Sequence, residues 1–209
     1  MNKRAAIFQT NHDAYLKQIG DCDLKPRAEV LGLETDGDGI LVPCFNEIYH
    51  VSGNGIRNRE GVAPGYVTSV IVSQYLLRCP ERVHDSADWV AFKDFKRTSH
   101  FLNGNIFASE TEMAITKTFE GRLDALARAC EGLGGFLPTG SFPYDFTMEF
   151  KALSRIRLLL LFNDKDDDFP ATTTVLFQKS AEYYLDPESL GMTGAVLASL
   201  LKKLSLPPG

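Results

Sequence analysis

The sequence predicts an α+β fold in which an antiparallel sheet packs against several helices. Three strand-like segments follow one another in the C-terminal half, at residues 144–150, 155–162 and 172–178, and form a meander. Helical patterns lie before and after this meander and do not alternate with its strands. Segregated helices and strands are typical of α+β proteins, whereas a parallel α/β sheet needs the two in alternation.

The composition favours one folded domain. Apolar residues make up 44% of the 209 residues and charged residues 23%, a globular balance that argues against disorder. A chain of this length buries enough surface to fold without disulfides or a structural metal. We see no internal repeat, low-complexity block or linker, so we expect a single α+β domain over residues 1–209. The sequence does not decide whether residues 1–60, a helix and a short hairpin, form a subdomain of their own.

Helices and short strands are predicted for the N-terminal part. Residues 3–19 carry apolar side chains at helical spacing. Residues 40–42 and 47–52 are short strand candidates beside glycine-rich turns. The apolar segment 64–80 has β-branched residues typical of strands but the length and spacing of a buried helix, which is our prediction.

The middle of the chain adds a strand and a divided helix. We predict a strand at residues 89–95. Ser109 and Glu112 match a capping box, in which a hydroxyl and a carboxylate three residues later each accept a backbone N–H bond, so a helix is expected to begin there. Gly121 is expected to interrupt this helix, and the glycines at 132–135 to end it.

The meander and the last helix have the clearest patterns. Residues 144–150 alternate between apolar and polar, so one face of this strand should meet the core and the other water. Residues 155–162 are nearly all apolar, which predicts a strand covered on both faces. Asp186 and Pro187 are typical of a helix start. The predicted buried face of the helix that follows consists of Leu190, Thr193, Leu197, Leu200 and Leu204.

Charge and hydropathy argue against two classes of partner. The net charge of −5 is spread along the chain without a basic stripe, so nucleic acid is not an expected partner. No apolar run approaches the ~20 residues of a membrane helix, and no secretory signal is seen, so no membrane partner is expected. The cysteines Cys22, Cys44, Cys79 and Cys130 form no C-x-x-C pair, which predicts reduced thiols and a cytoplasmic location.

The acidic segment NDKDDDFP at residues 163–170 is the first candidate site. Asp164, Asp166 and Asp168 stand at alternate positions, a spacing that suits a hard cation such as Mg²⁺ or Mn²⁺. An EF-hand loop is excluded, because its sixth position needs glycine and its twelfth glutamate, and neither is present here. The alternative is a charged turn that stays wet and guards the neighbouring strands against edge pairing. The sequence leaves both interpretations open.

Three other residues are pocket candidates: Trp89, His100 and Tyr184. Large aromatic side chains such as Trp89 and Tyr184 can line an apolar pocket, although most of them belong to the core. His100 precedes a turn, and loops after strands often line sites. The sequence contains no metal-binding histidine pair, no serine nucleophile elbow and no phosphate-binding loop with its lysine, so catalytic residues are unknown.

Three segments together carry a family resemblance. They are WVAF at 89–92, ACEGLGG at 129–135 and the stretch 155–190, in which Phe-Pro and Tyr-Leu-Asp-Pro follow apolar strands. This order resembles the bacterial and archaeal family catalogued as domain of unknown function 3786. The resemblance implies a cytoplasmic protein of anaerobes and supplies no established catalytic residues. Some members carry a cysteine-rich iron–sulfur segment, which this chain lacks, so it is expected to hold no iron–sulfur cluster of its own.

Three functions remain open at the level of the sequence. The first is an accessory or binding protein that serves a cofactor, whose identity is unknown, or a redox partner in anaerobic metabolism. Its partner would be a small molecule or another protein. The alternative is a divalent-metal-dependent enzyme, in which the acidic turn at 164–168 binds the ion and His100 acts as the base. A purely structural subunit, the third, should expose an apolar patch on the last helix.

Overall fold

The computed structural model describes residues 3–95 and 104–206. The α-helices are α1 (Lys3–Gly20), α2 (Leu24–Leu31), α3 (Tyr66–Leu77), α4 (Gly104–Phe107), α5 (Met113–Phe119), α6 (Leu123–Gly132) and α7 (Pro187–Leu204). The strands are β1 (Glu34–Asp36), β2 (Gly39–Cys44), β3 (Glu47–Ser52), β4 (Gly55–Asn58), β5 (Trp89–Ala91), β6 (Phe146–Leu153), β7 (Ile156–Asn163) and β8 (Thr172–Gln178). The described part also has 3₁₀ turns at Phe92–Asp94 and Lys179–Tyr183 and a π-helical turn at Ala108–Glu112.

The strands form two antiparallel four-stranded sheets. The first has the order β1-β2-β3-β4, with Ile40 opposite Val51. The second has the order β5-β8-β7-β6, with Leu160 of β7 between Met148 and Val175. Helices cover the second sheet, where α5 contacts β8 and α6 contacts β6. The predicted α+β class and the C-terminal meander are confirmed.

The two sheets are joined at the β6–β7 hairpin. The Phe45 N–H, which follows β2, donates to the Ala152 carbonyl of β6 at 2.9 Å. At the hairpin turn, the Arg155 N–H donates to the Tyr75 hydroxyl at 3.0 Å, and Arg155 Nε donates to the Val30 carbonyl of α2 at 3.2 Å. Buried side chains of both sheets belong to one apolar cluster. The assignment of the chain to one domain stays a prediction.

The strand predicted for residues 89–95 is wrong beyond its first three residues. β5 is short because the chain enters a 3₁₀ turn at Phe92. This turn buries Phe92 and Phe95 beside other rings, with centroids 4.5 Å apart for Phe92 and Phe107 and 5.8 Å apart for Phe95 and Phe177. Aromatic packing in the core therefore overrides the strand pattern.

The helix start predicted at Ser109 is also wrong. The chain is already helical at Gly104 and continues through the π-helical turn. The Ser109 hydroxyl donates to the Ile106 carbonyl at 3.0 Å, so it caps no helix N-terminus. The sequence could not reveal this, because a serine and a glutamate three residues apart look the same inside a helix as at its start.

Glu112 covers an open part of a sheet edge instead of completing a cap. β5 pairs with β8 at residues 176–178, and the Val175 N–H beside this pairing donates to Glu112 Oε1 at 3.0 Å. Burial raises the pKa of the Glu112 carboxyl, while the bond from Val175 and the nearby Lys93 ammonium oppose the rise. A side chain of the π-helical turn thus takes the place of a strand partner.

The polar face predicted for residues 144–150 is wrong at Glu149, which is only 4% exposed. The chain at Phe136 forms a β-bridge with Glu149 and covers this edge of β6. Arg157 Nη1 lies 2.9 Å from Glu149 Oε1, so the buried carboxylate has a charged partner. An alternating pattern predicts the strand, but it does not show that a neighbouring segment covers the polar face.

The predicted start of α7 is confirmed, while its buried face differs from the prediction at the C-terminal end. Asp186 Oδ1 accepts the Ser189 N–H at 2.8 Å, and Pro187 takes the first helical position. Leu201 is buried, whereas Leu200 is half-buried and Leu204 is 42% exposed. The latter two border surface grooves.

Replacing either of two glycines of α7 by alanine should have opposite effects on stability. A Cβ at Gly194 would press on the Phe107 ring and lie 3.0 Å from Thr111 Oγ1, whereas a Cβ at Gly191 would lie 3.5 Å from Phe92. We expect Gly191→Ala to raise the free energy of unfolding by up to about 1 kcal/mol through helix propensity. Gly194→Ala should lower it by about 1–3 kcal/mol through overpacking. Urea unfolding followed by circular dichroism measures both, and stabilisation by both changes would contradict the packing described here.

Candidate functional site

The segment at residues 79–88 links α3 to β5 and frames the candidate site. It contains no helix or strand. Its beginning is held by Arg78, whose Nε lies 2.9 Å from Oδ2 of Asp186 at the start of α7. At its other end, the Asp88 carbonyl accepts the Lys179 N–H at 2.9 Å. Both ends of the segment are therefore attached to elements that follow β8.

The centre of this segment is held by Tyr184. The Tyr184 hydroxyl donates to the His84 carbonyl and accepts the His84 N–H, both at 2.8 Å. The Tyr184 side chain is fully buried, and burial raises the pKa of its phenol. A neutral hydroxyl can donate and accept at once, which a phenolate could not do. One side chain thus satisfies both backbone groups of a residue that lacks strand or helix partners.

An open pocket of about 480 Å³ lies between this segment and the 3₁₀ turn after β8. The side chains that give it chemical character are Arg82, His84, Asp88, Lys179, Glu182 and Tyr183. The rings of His84 and Tyr183 are stacked, with centroids 4.0 Å apart and planes 4° from parallel. The pocket therefore combines a flat aromatic stack with charges of both signs.

The ion pairs that the described residues form around the pocket do not include two of its charged side chains. Lys179 Nζ lies 3.6 Å from Asp88 Oδ2, and Asp85 Oδ1 lies 4.0 Å from the Arg155 guanidinium. Within the described ranges, neither Arg82 nor Glu182 takes part in an ion pair. Glu182 Oε2 is also shielded from solvent and accepts no hydrogen bond from the part of the chain that the structure describes. A buried acceptor without a donor is uncommon in folded proteins and calls for a physical reason.

The pocket candidates from the sequence have different positions in the structure. Tyr184 does not line the pocket but holds its frame, whereas the adjacent Tyr183 does line it. Trp89 is half-buried at the start of β5, next to Asp88, and is not a lining residue. His100 lies outside the described residues. The expected pocket was apolar, and the one that Tyr184 supports is mainly polar.

Sequence reasoning missed the residues that give the pocket its chemistry. His84 was one of four isolated histidines, and nothing in its neighbours distinguishes it. Arg82 and Glu182 are a hundred positions apart, so no local spacing links them. The one available signal was the Tyr183-Tyr184 pair a few residues after a buried strand, which indicates the position of the pocket but not the residues that meet there.

Two of the three candidate carboxylates in the acidic segment, those of Asp164 and Asp166, accept hydrogen bonds from backbone N–H groups. Asp164 Oδ1 accepts the N–H of Gly121 at 2.7 Å, where a φ of +68° suits glycine. Asp166 Oδ1 accepts the N–H groups of Asp168 at 2.9 Å and Phe169 at 2.7 Å. These bonds close the turn between β7 and β8 and attach it to the α5–α6 connection.

The structure does not bring the acidic segment and the pocket together. The segment precedes β8 and the pocket follows it, so the seven-residue strand separates them by roughly 20 Å. In the part of the chain that the structure describes, no three His, Cys, Asp or Glu side chains are grouped so that they could hold a metal ion. The metal site at Asp164, Asp166 and Asp168 stays a prediction.

The fold and the pocket define a two-sheet α+β protein with an open, charged pocket beside an irregular segment. The chain belongs to the family described as Domain of unknown function (DUF3786), whose model matches residues 23–200. This confirms the family that the sequence resembles. No curated protein and no solved structure matches the chain. Over residues 3–95 and 104–206, no helix has the length and apolar character needed to cross a bilayer.

The acidic segment gives a test that separates its two interpretations. Asp166→Ala removes the acceptor of two N–H groups, so we expect it to lower the free energy of unfolding by about 1–2 kcal/mol. The loss should be equal in EDTA and in millimolar Mg²⁺. Asp167→Ala, which changes an exposed neighbour, is the control and should have little effect. A loss that occurs only with Mg²⁺ present, measured by urea unfolding, would favour the metal site instead.

Proposed function

We propose that this protein is a binding protein that holds a small polar ligand in the pocket beside residues 79–88. The observation that carries the proposal is Glu182 Oε2, a shielded carboxylate oxygen to which none of the described residues donates a hydrogen bond. A donor from a ligand would satisfy this oxygen. The volume of about 480 Å³ also falls within the range of pockets that take small molecules.

The charges of the pocket indicate the chemistry of the ligand. The Glu182 carboxylate can accept a hydrogen bond from an N–H or O–H group of a ligand. The Arg82 guanidinium can bind an anionic group such as a carboxylate or phosphate. The stacked rings of His84 and Tyr183 offer a flat surface to a planar group. The proposed ligand is therefore a small molecule with a planar ring, at least one donor and one anionic group.

The rigid frame of the pocket supports binding. The hydrogen bonds of Tyr184 and the attachments of both segment ends fix the backbone before a ligand arrives. A preformed site loses less entropy on binding than one that must become ordered. In the setting that the family resemblance implies, the cytoplasm of an anaerobe, the ligand would be a cofactor or a group presented by a redox partner. Nucleic acid is not proposed as a partner, since the net charge of −5 opposes the binding of a polyanion.

The proposal predicts opposite effects of one substitution on stability and on binding. Glu182→Leu removes the buried acceptor, so we expect the ligand-free protein to gain about 1 kcal/mol in the free energy of unfolding. The same variant should lose the stabilisation that a ligand confers, which in the unchanged protein reaches about 2.7 kcal/mol at a hundred times the dissociation constant. Thermal melting with a panel of heterocyclic carboxylates and phosphates measures both effects.

Two further variants control this experiment. Glu81→Leu changes a neighbouring exposed carboxylate that does not line the pocket, and it should leave ligand binding unchanged. Arg82→Ala should weaken the binding of anionic compounds in the panel and leave the binding of uncharged compounds unchanged. Destabilisation of the ligand-free protein by Glu182→Leu would contradict the proposal, because it would show that the carboxylate already has a structural partner.

A further inference from the structure

The structure exposes a second surface, on the opposite side of α7 from its buried face. A groove of about 640 Å³ runs between α3 and α7, and none of the described residues that line it is charged. The residues that form its walls include Gly65, Val67, Ala195, Val196, Ser199 and Leu200. Val67 is 39% exposed, and Val62 and Leu204, at the neighbouring groove, are 57% and 42% exposed. Exposed apolar side chains that cluster in this way are typical of protein–protein contacts.

Two opposite charges of α7 are arranged symmetrically about the middle of the helix, where two of the groove residues stand. The groove residues Ala195 and Val196 stand at the middle of the 18-residue helix. The exposed Glu188 precedes Ala195 by seven positions, and the exposed Lys203 follows Val196 by seven. With a rise of 1.5 Å per residue, these opposite charges are about 22 Å apart along the helix.

We propose that the groove binds a second copy of this chain, with the two α7 helices antiparallel across a two-fold axis at Ala195 and Val196. In this arrangement Glu188 of each copy faces Lys203 of the other, and the acidic start of each helix meets a basic end. A two-fold interface requires such a self-complementary pattern, because each contact occurs twice. The same pairing also matches the polarity of the helix dipoles.

Side-chain size supports the same arrangement. Ala195 and Ser199 are small and lie in the groove, so two helix backbones can approach closely there. Val67 of α3 and Val196 supply apolar side chains at the crossing. An unrelated helix would match the apolar groove equally well, but a second copy also pairs Glu188 with Lys203, because the two stand equally far from the middle of α7. This surface and the ligand pocket share no lining residue, so the two proposals stand independently.

Charge reversal in one chain tests the symmetry directly. Glu188→Lys places lysine against Lys203 at both ends of the interface, so the dimer should weaken by about tenfold. Lys203→Glu should weaken it similarly. The double variant Glu188→Lys/Lys203→Glu restores opposite charges and should recover the dissociation constant of the unchanged protein. Glu34→Lys, which reverses an exposed charge on β1, is the control and should have no effect.

Sedimentation velocity over a range of concentrations measures these constants. A protein that stays monomeric up to about 100 µM, or a dimer that Glu188→Lys leaves unchanged, would overturn the proposal. Ala195→Cys provides a second measurement that does not depend on charge. Because this position lies at the axis, mild oxidation should link the variant into a disulfide dimer, and the unchanged protein should give none. Failure of Ala195→Cys to cross-link would also count against the interface.

Discussion

Residues 79–88 have no helix or strand of their own, and the Tyr184 hydroxyl supplies the hydrogen bonds that hold their centre. Everything proposed for the pocket depends on this contact. Tyr184 follows the 3₁₀ turn that comes after β8 and is fully buried, so the packing of the core determines where its hydroxyl lies. The hydroxyl in turn determines where the backbone of His84 lies, a hundred positions earlier in the chain. Two hydrogen bonds, each contributing about 1 kcal/mol net, thereby anchor this segment to the core. Without them the segment would open easily, because it has no helix or strand hydrogen bonds of its own.

The sequence predicted elements whose pattern is local and missed features that depend on distant partners. The meander at 144–178, the helix within 64–80 and the Asp186-Pro187 helix start need only periodicity and caps, and all three are present. The capping box at Ser109 failed because residues before it are already helical. The pocket could not be predicted, since Arg82, His84 and Glu182 meet only after β8 has paired with β5. Periodicity carries no information about such pairings between distant segments.

The acidic segment shows how the same residues can be explained without a ligand. Backbone N–H groups in a tight turn need acceptors, and the Oδ1 atoms of Asp164 and Asp166 supply them. Glu182 presents the opposite case, since one of its oxygens is shielded and has no donor. Satisfied carboxylates are explained by the fold, whereas an unsatisfied one requires a further cause. This contrast is why the proposed site lies after β8 and not before it.

The most direct test of this account is the rate at which the His84 amide hydrogen exchanges with solvent, measured by NMR. We expect slow exchange in the unchanged protein and fast exchange across residues 79–88 in Tyr184→Phe, while the amides of β7 keep their protection. Tyr75→Phe, which removes the acceptor of the Arg155 N–H instead, should leave the His84 amide protected. Unchanged protection of His84 in Tyr184→Phe would contradict the account, because the segment would then be held by something other than this hydroxyl.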